Sequence, residues 1–291
     1  VLGVALVRKP IGLTSHDVVN LIRRKLGTKR VGHSGTLDPA ASGLLVVAVG
    51  PATRFLQYLP LEPKEYYGLV QFGKSTDSYD SEGQVLRELP VPEDLPAAID
   101  RALPQFRGLI RQLPPMFSRV KVQGKPLYEY ARRGEEVHRE PRTVHIDTFD
   151  PVEIMESSAR FHVVCSGGTY VRTLAHDLGE AIGCGAFLNG LVRTKVGRFL
   201  LEDSVTVDEL SPDTVMSLRD ALSPMPIVEL SEREVAQVRD GRALQREDAP
   251  RSQFAALTEP AGNVFSVARV LGNMLQPDCV IPAEVSPKDH A

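Results

Sequence analysis

The segment Gly32-His33-Ser34-Gly35-Thr36-Leu37-Asp38-Pro39 constrains this chain more than any other stretch. Its two glycines permit turns that other residues resist. Pro39 fixes the torsion immediately after Asp38. The apolar run Leu44–Val49 follows closely and reads as a short buried strand. A stiff loop that feeds a buried strand presents one carboxylate at a fixed place. Such a carboxylate can act as a nucleophile or as a base. The plainer reading is an Asp-Pro turn with a capping role. Taken alone, the loop favours that plainer reading; the rest of the chain shifts the balance.

Around the loop the pattern is mixed α and β. Leu2–Arg8 reads as a strand. Ser15 is placed to cap a helix running to about Leu26, with Asp17 in the positive first turn. Val18, Ile22 and Leu26 recur at helical spacing, and Gly27 ends the helix. Thr53–Leu59 reads as a brief helix and Lys64–Phe72 as a strand. Asp94–Leu103 reads as a helix, with Pro96 tolerated in the first turn. Val144–Ile154 and Arg160–Cys165 read as strands, and a helix from Tyr170 to Ile182 follows Gly167-Gly168. Residues 105–142 are rich in Arg, Lys, Tyr, Pro and Gly and show no continuous apolar face. They read as an excursion from the core. Pro224 and Pro226 mark a boundary before a turn-rich region with little helical periodicity, which suits a small β domain.

Charge is distributed unevenly. The formal net charge is −3, but residues 202–291 carry 8 Lys+Arg against 16 Asp+Glu, and residues 1–201 carry 26 against 21. Residues 8–30 hold seven basic residues and one acidic, and residues 105–142 hold nine and four. Such clusters fit a surface that tracks phosphates; a solvated basic face is the competing reading. Cys165, Cys184 and Cys279 are scattered, with no paired spacing for a disulfide framework or a zinc site, so a reducing cytoplasmic compartment is expected. The apolar runs are far too short to span a bilayer. The first residues lack the basic-first order of a signal peptide.

Several further segments accompany the Asp38 loop. They are Lys9-Pro10-Ile11-Gly12-Leu13-Thr14-Ser15-His16-Asp17, then Lys64-Glu65-Tyr66, then Ser118 to Lys121 with Gly124-Lys125 and Leu127-Tyr128-Glu129-Tyr130-Ala131-Arg132. Cys165-Ser166-Gly167-Gly168-Thr169-Tyr170-Val171-Arg172-Thr173-Leu174 comes last, with His176-Asp177-Leu178-Gly179. In order and spacing, this set resembles the bacterial tRNA pseudouridine-55 synthases of the TruB family over most of residues 1–200. Beyond about residue 225 the resemblance is to a diverged PUA-like RNA-binding domain.

The resemblance implies an α+β fold: a mixed, largely antiparallel sheet flanked by helices (the pseudouridine synthase fold) with a small β-rich PUA-like domain. It implies a catalytic domain over residues 1–225, an RNA-binding insertion at about 105–142, and the second domain over 226–291. It implies an isomerase that converts uridine 55 in the T-stem-loop of tRNA. It needs no cofactor or metal, no membrane and no obligatory protein partner, and is expected to be a monomer. Asp38 is then the essential aspartate, adding to C1′ or removing the C2′ proton. Arg172, just after Gly167-Gly168 at a helix start, is the expected partner that keeps Asp38 ionised. Tyr66 is implied to lie against the target uracil, although an aromatic in a strand is ordinarily core. Tyr170 and Leu191 are candidates for the pocket wall. His33 is implied to contact RNA and hold the extruded nucleotide. Lys9 is expected to support the loop or a phosphate. Arg119 stands where a small residue is expected, and Gly167 where a lysine is common.

Other chemistries fit less well. The glycines around His33 are not followed by the Gly-Lys-Ser/Thr that a P-loop needs. Those letters do occur at Gly68–Ser75, but there the pattern starts inside the Lys64–Phe72 strand and no helix signal follows it, whereas a P-loop follows its strand and opens a helix. Gly32-x-Ser34 meets only half of the Gly-x-Ser-x-Gly signature, since Thr36 replaces the last glycine. His176-Asp177, with Cys165, could mimic a nucleophilic triad, but the pair falls mid-helix with no oxyanion motif and reads as structural. The alternative from another class is a tRNA-binding or folding-assistance protein, which needs the basic segments but not Asp38, Tyr66 and Arg172 together.

Overall fold

A computed structural model describes residues 1–283. In chain order the first half contains β1 (Gly3–Lys9), α1 (Ser15–Lys25), β2 (Val31–Ser34), β3 (Ala41–Val49), a 3-10 turn (Gly50–Tyr58) and β4 (Lys64–Phe72). The hairpin β5 (Lys74–Thr76) and β6 (Val85–Glu88) follows, then α2 (Leu95–Ala102) and β7 (Gly108–Gln112). A small hairpin, β8 (Lys121–Val122) and β9 (Lys125–Pro126), leads into α3 (Leu127–Ala131). Next come β10 (Arg142–Ile154), β11 (Ser158–Cys165), α4 (Val171–Ile182), β12 (Ala186–Val196), β13 (Phe199–Leu200) and α5 (Leu218–Leu222). The last part holds β14 (Ile227–Glu229), α6 (Glu232–Arg239), β15 (Leu244–Gln245), β16 (Phe254–Thr258), β17 (Val264–Leu271) and β18 (Met274–Val280).

The large sheet runs β1-β3-β12-β4-β11-β10-β7, with β2 added to β3 and β13 to β12. Every pairing in it is antiparallel except β3 with β12. That one junction positions the site. Ala41–Gly43 of β3 pair with Leu191–Arg193, whereas Val46–Val49 pair with β2 on the same edge. The loop from β2 to β3 therefore emerges where two neighbouring strands diverge, and Asp38 lies in that loop.

Burial on both faces explains the unbroken apolar run in β3. Leu44, Val46 and Ala48 join one buried cluster, while Leu45, Val47 and Val49 pack with Val18, Val19 and Ile22 of α1. Under β4, β10 and β11, the packing partners are Leu95 and Ile99 of α2 and Leu174 and Leu178 of α4. A second, five-stranded sheet, β14-β16-β17-β18-β15, is built from residues 227–280.

Several sequence expectations change. Thr14, not Ser15, is the cap of α1: its side chain accepts from the Asp17 amide while Asp17 accepts from the Thr14 amide. Ser15 is the first helical residue and its hydroxyl bonds instead to the backbone of Leu37, in the loop that carries Asp38. The expected helix at Thr53–Leu59 is a 3-10 turn beginning at Gly50. The excursion is shorter than 105–142, because Phe106 is buried in the core and Gly108–Gln112 pair with β10 as the sheet's edge. The turn-rich last region contains a helix, α6.

Candidate active site

The loop carrying Asp38 is tethered at nearly every residue. The Ser15 hydroxyl accepts from the Leu37 amide at 2.9 Å and donates to the Leu37 carbonyl at 3.1 Å. The Ala41 amide donates to the Asp38 carbonyl at 3.0 Å, and the Gly12 amide to the Pro39 carbonyl at 2.8 Å. Gly35 makes the turn with φ of +75°, a conformation glycine adopts readily. Lys9 lies fully enclosed beneath, donating to the carbonyls of Pro10 (2.8 Å), Leu13 (2.6 Å) and Pro39 (3.5 Å). Those contacts occupy its ammonium group and leave no face for a phosphate. Of its two expected roles, only support of the loop fits the geometry. Burial also lowers its pKa to about 8.

Arg172, one residue inside α4, reaches the loop. Its guanidinium lies 3.2 Å from Asp38 Oδ2 and 3.4 Å from Asp80 Oδ2. It donates to the carbonyls of Ser78 (3.2 Å) and Phe117 (2.7 Å). The start of α4 is itself pinned to the sheet edge by the Gln112 side chain. That amide accepts from the Tyr170 amide at 2.7 Å and donates to the Tyr170 carbonyl at 3.0 Å. Asp38 remains open through the mouth of the cleft, with 42% of its side chain exposed, while Arg172 is buried. Enclosure on its other sides raises the Asp38 pKa above the ordinary carboxylate value, and Arg172 opposes that rise.

Asp38 and Arg172 open onto a cleft of about 690 Å³ that Tyr66, Tyr170 and Leu191 also line. Tyr66 is buried in β4, directly across from Arg193 in the β4–β12 register. Burial raises its pKa, so its phenol keeps its proton at neutral pH. The Arg172 guanidinium lies over the Tyr170 ring, 5.8 Å from its centroid. His33 is half-buried on β2 and stands outside the cleft lining; burial, with Arg119 and Arg193 nearby, lowers its pKa. The structure thus gathers Asp38, Tyr66, Arg172, Tyr170 and Leu191, and leaves Lys9 beneath them and His33 to one side. A larger cavity of about 990 Å³ lies elsewhere, lined by Lys9, Leu13, Val192 and Leu201 among others. It contains neither Asp38 nor Arg172, so the smaller cleft is the candidate site.

Three cleft residues were not anticipated from the sequence. Asp80 is buried and shares Arg172 with Asp38; Ser78 Oγ donates to its other oxygen at 2.5 Å. Arg193 is almost fully buried and donates to the carbonyls of Leu44 (2.8 Å) and Gly35 (3.1 Å). Lys64 reaches the same turn, and burial beside Arg193 lowers its pKa. With Arg119 and Arg132 also on the wall, the cleft is predominantly cationic around the one accessible aspartate of the loop. Among the described residues no group of His, Cys, Asp and Glu is placed to hold a metal ion, and no helix is long and apolar enough to cross a membrane.

The family model for the N-terminal domain of TruB family pseudouridylate synthases matches residues 23–171, and that for the tRNA pseudouridylate synthase B C-terminal domain matches residues 172–227. The chain belongs to the TruB family of pseudouridylate synthases. It is 47% identical to tRNA pseudouridine synthase B of Opitutus terrae over 77% of this chain and 92% of that one. It is 39% identical to the enzyme of the same name from Pseudomonas fluorescens over 92% and 91%. Among solved structures, it is similar to a Cbf5-Nop10-Gar1 complex, with a TM-score of 0.69 and 28% identity over 96% of this chain and 85% of that one. It is also similar to an H/ACA RNP bound to a substrate RNA containing 2′-deoxyuridine, with a TM-score of 0.70 and 25% identity over 97% and 85%. The TruB-family chain is therefore an isomerase with the pseudouridine synthase fold.

Proposed function

We propose that this protein isomerises uridine to pseudouridine in tRNA, at uridine 55 of the T-stem-loop. The observation that carries the reading is the Asp38–Arg172 contact at 3.2 Å, at the foot of a cationic cleft walled by Tyr66 and Leu191. Pseudouridine formation breaks the N1–C1′ bond, turns the detached uracil and joins C5 to C1′. Substrate and product are isomers, so no electron or group is gained or lost. Asp38 must begin ionised whether it adds to C1′ or takes the C2′ proton, and Arg172 favours that state. Tyr66 supplies a ring face for the uracil and a protonated hydroxyl near its edge. The target base must leave the helical stack to reach a cleft this deep. The phosphates then meet the arginines of the wall, and residues 113–141 extend the same surface. The C-terminal sheet, read as PUA-like, belongs to the RNA surface in this scheme.

The test uses tRNA transcribed without modification, incubated with the parent protein or Asp38→Asn and mapped at single-nucleotide resolution. The parent should convert one uridine of the T loop. Asp38→Asn should convert none, while its affinity for tRNA stays within about twofold, since the substitution removes one charge that RNA does not seek. Conversion at other positions would overturn the assigned substrate. Turnover by a variant shown free of deamidation would overturn the role of Asp38. Loss of binding along with turnover would instead make the aspartate part of the RNA surface.

A further inference from the structure

The turn that grips Arg172 is held open by an unusual residue. Tyr79 has φ of +67°, in the left-handed region that L-residues with a Cβ avoid. Its two chain neighbours both serve Arg172: the Ser78 carbonyl and the Asp80 carboxylate accept from the same guanidinium nitrogen, at 3.2 and 3.4 Å. A residue in the extended region at position 79 would send the chain elsewhere and separate those two acceptors. The left-handed turn is therefore what aims them together.

The Tyr79 ring is stacked on His176, with centroids 3.8 Å apart and planes 11° from parallel. His176 follows Arg172 by four residues on α4, so both side chains lie on one helix face, one turn apart. α4 thus meets the turn twice, through the ion pair at Arg172 and through the ring stack at His176. The backbone on either side is fixed to β12: Leu188 donates to the Tyr79 carbonyl at 2.9 Å, and Ser81 donates to the Leu188 carbonyl at 3.1 Å. The phenol end of Tyr79 faces Arg139, whose guanidinium also donates to the Pro114 carbonyl at 3.1 Å. The imidazole meets Tyr79 through its ring face, and its Nδ1 is buried with no hydrogen-bond partner.

We propose that Tyr79 and His176 are positioning residues for the Asp38–Arg172 pair, their stack fixing the turn from which Ser78 and Asp80 hold the guanidinium against the reacting carboxylate. The proposal rests on the reading of Asp38 and Arg172 as the reacting pair. Removing the stack leaves the residues of the cleft in place and loosens only the placement of Arg172. Asp38, faced by Arg172, Asp80, Lys9 and Arg119, then loses part of its nearest positive charge.

The test compares Tyr79→Asn, His176→Ala, His176→Phe and the double variant Tyr79→Asn/His176→Ala. Asparagine tolerates the left-handed turn and lacks the ring. Single-turnover rates at saturating tRNA should fall about three- to tenfold in Tyr79→Asn and His176→Ala, the range expected for one aromatic pair. Affinity for tRNA should not change. The acid limb of the rate profile should move to higher pH, because Asp38 becomes harder to ionise. The double variant should be no slower than the slower single one, because both remove one interaction. His176→Phe keeps a ring face and should recover most of the rate lost in His176→Ala. Parent-like rates in folded Tyr79→Asn and His176→Ala would overturn the proposal, as would multiplicative losses in the double variant. A His176→Phe protein as slow as His176→Ala would overturn it too, and this comparison stands even where Tyr79→Asn fails to fold. Asp38→Asn is the control: turnover by that variant defeats the underlying reading, whereas an inactive Asp38→Asn beside an unaffected stack defeats only this inference.

Discussion

Lys9 gives its ammonium hydrogens to carbonyls rather than to a carboxylate. Burial disfavours the charged form, and its folded pKa of about 8 lies below the ordinary value of 10.5. Between those two values the unfolded chain binds more protons at this position than the folded one. Linkage then makes stability rise as pH climbs from about 8 to about 10.5. The full gain is on the order of 3 kcal/mol. Below pH 8 the whole burial cost of the ammonium is present. Unfolding free energies of the parent and Lys9→Met, measured across this range, should diverge upward with pH in favour of the parent. A difference that stays level would show that the lysine is not held in this way. At the same scale, the sequence disclosed some site residues and hid others. The glycines and proline around Asp38 marked a stiff loop, and Gly167-Gly168 marked the helix start at Arg172, but it was the resemblance of the whole set of segments that singled the two out. Asp80 lies among Ser, Tyr and Asp residues with no local mark. Arg193 sits in a strand with ordinary polar neighbours, and only the fold reveals that its guanidinium is sealed in the core. Lys9 was legible as a residue of interest, but its burial was not.

Elements with one clear period were readable. β4 has the bounds the alternation suggested, and α1 and α4 start and stop within a residue or so of their sequence signals. β12, at the middle of the large sheet, was missed. It carries Asn189 and Gly190, and its pairing with β4 shifts register after Leu188 and again after Arg193. Two irregularities in one strand destroy the period of two that reveals strands. The basic excursion was legible by composition, but its first residues are core and sheet edge, which a count of Arg and Lys cannot separate. The corrected boundaries sharpen an expectation for this element. Removing residues 113–140, between Gln112 of β7 and Arg142 of β10, deletes six basic residues and leaves the edge pairing intact. The shortened protein should keep a cooperatively folded core by circular dichroism, less the contribution of α3 and the small hairpin, and bind tRNA more weakly. Every phosphate deprived of its cationic partner should flatten the log–log salt dependence by about 0.7 to 0.9. Its rate at saturating tRNA should fall as well, because the Phe117 carbonyl that accepts from Arg172 leaves with the segment. Unchanged affinity and slope would move the RNA surface to residues 8–30.

At the scale of the whole molecule, the acidic last third looks at first like a separate appendage. Over residues 202–291 its local charge of 8 Lys+Arg against 16 Asp+Glu contrasts with the basic remainder, and Pro224 and Pro226 interrupt it just before its sheet. The packing argues otherwise. Ala256, Val264, Val267 and Cys279 of the five-stranded sheet share one buried cluster with Leu6, Leu44 and Val46 of the large one and with Phe55 of the 3-10 turn. The 3-10 turn Gly50–Tyr58 is the joint: Tyr58 donates to Asp278 at 2.6 Å, Arg54 to the Val280 carbonyl at 2.8 Å, and the Tyr58 ring meets Phe254 edge-on at 5.4 Å. A cluster that spans two sheets couples their unfolding, since neither can open without exposing the other's apolar face. The full chain should therefore unfold in one transition, with the same midpoint by far-ultraviolet circular dichroism and by tyrosine fluorescence, the chain having no Trp. A chain ending at residue 225 should melt at lower temperature and bind a hydrophobic dye, because it uncovers Phe55 and its neighbours. Two separated transitions, with the first 225 residues as stable alone as in the full chain, would make the last sheet an independent module joined only by its linker. The coupled outcome has a consequence for RNA binding. Weakening of tRNA affinity on truncation would then report a disturbed 3-10 turn as well as a missing surface. Point substitutions at exposed basic residues away from that joint, such as Arg233→Ala on α6, separate the two effects, whereas Arg269 is paired with Asp278 at 2.9 Å and belongs to the joint.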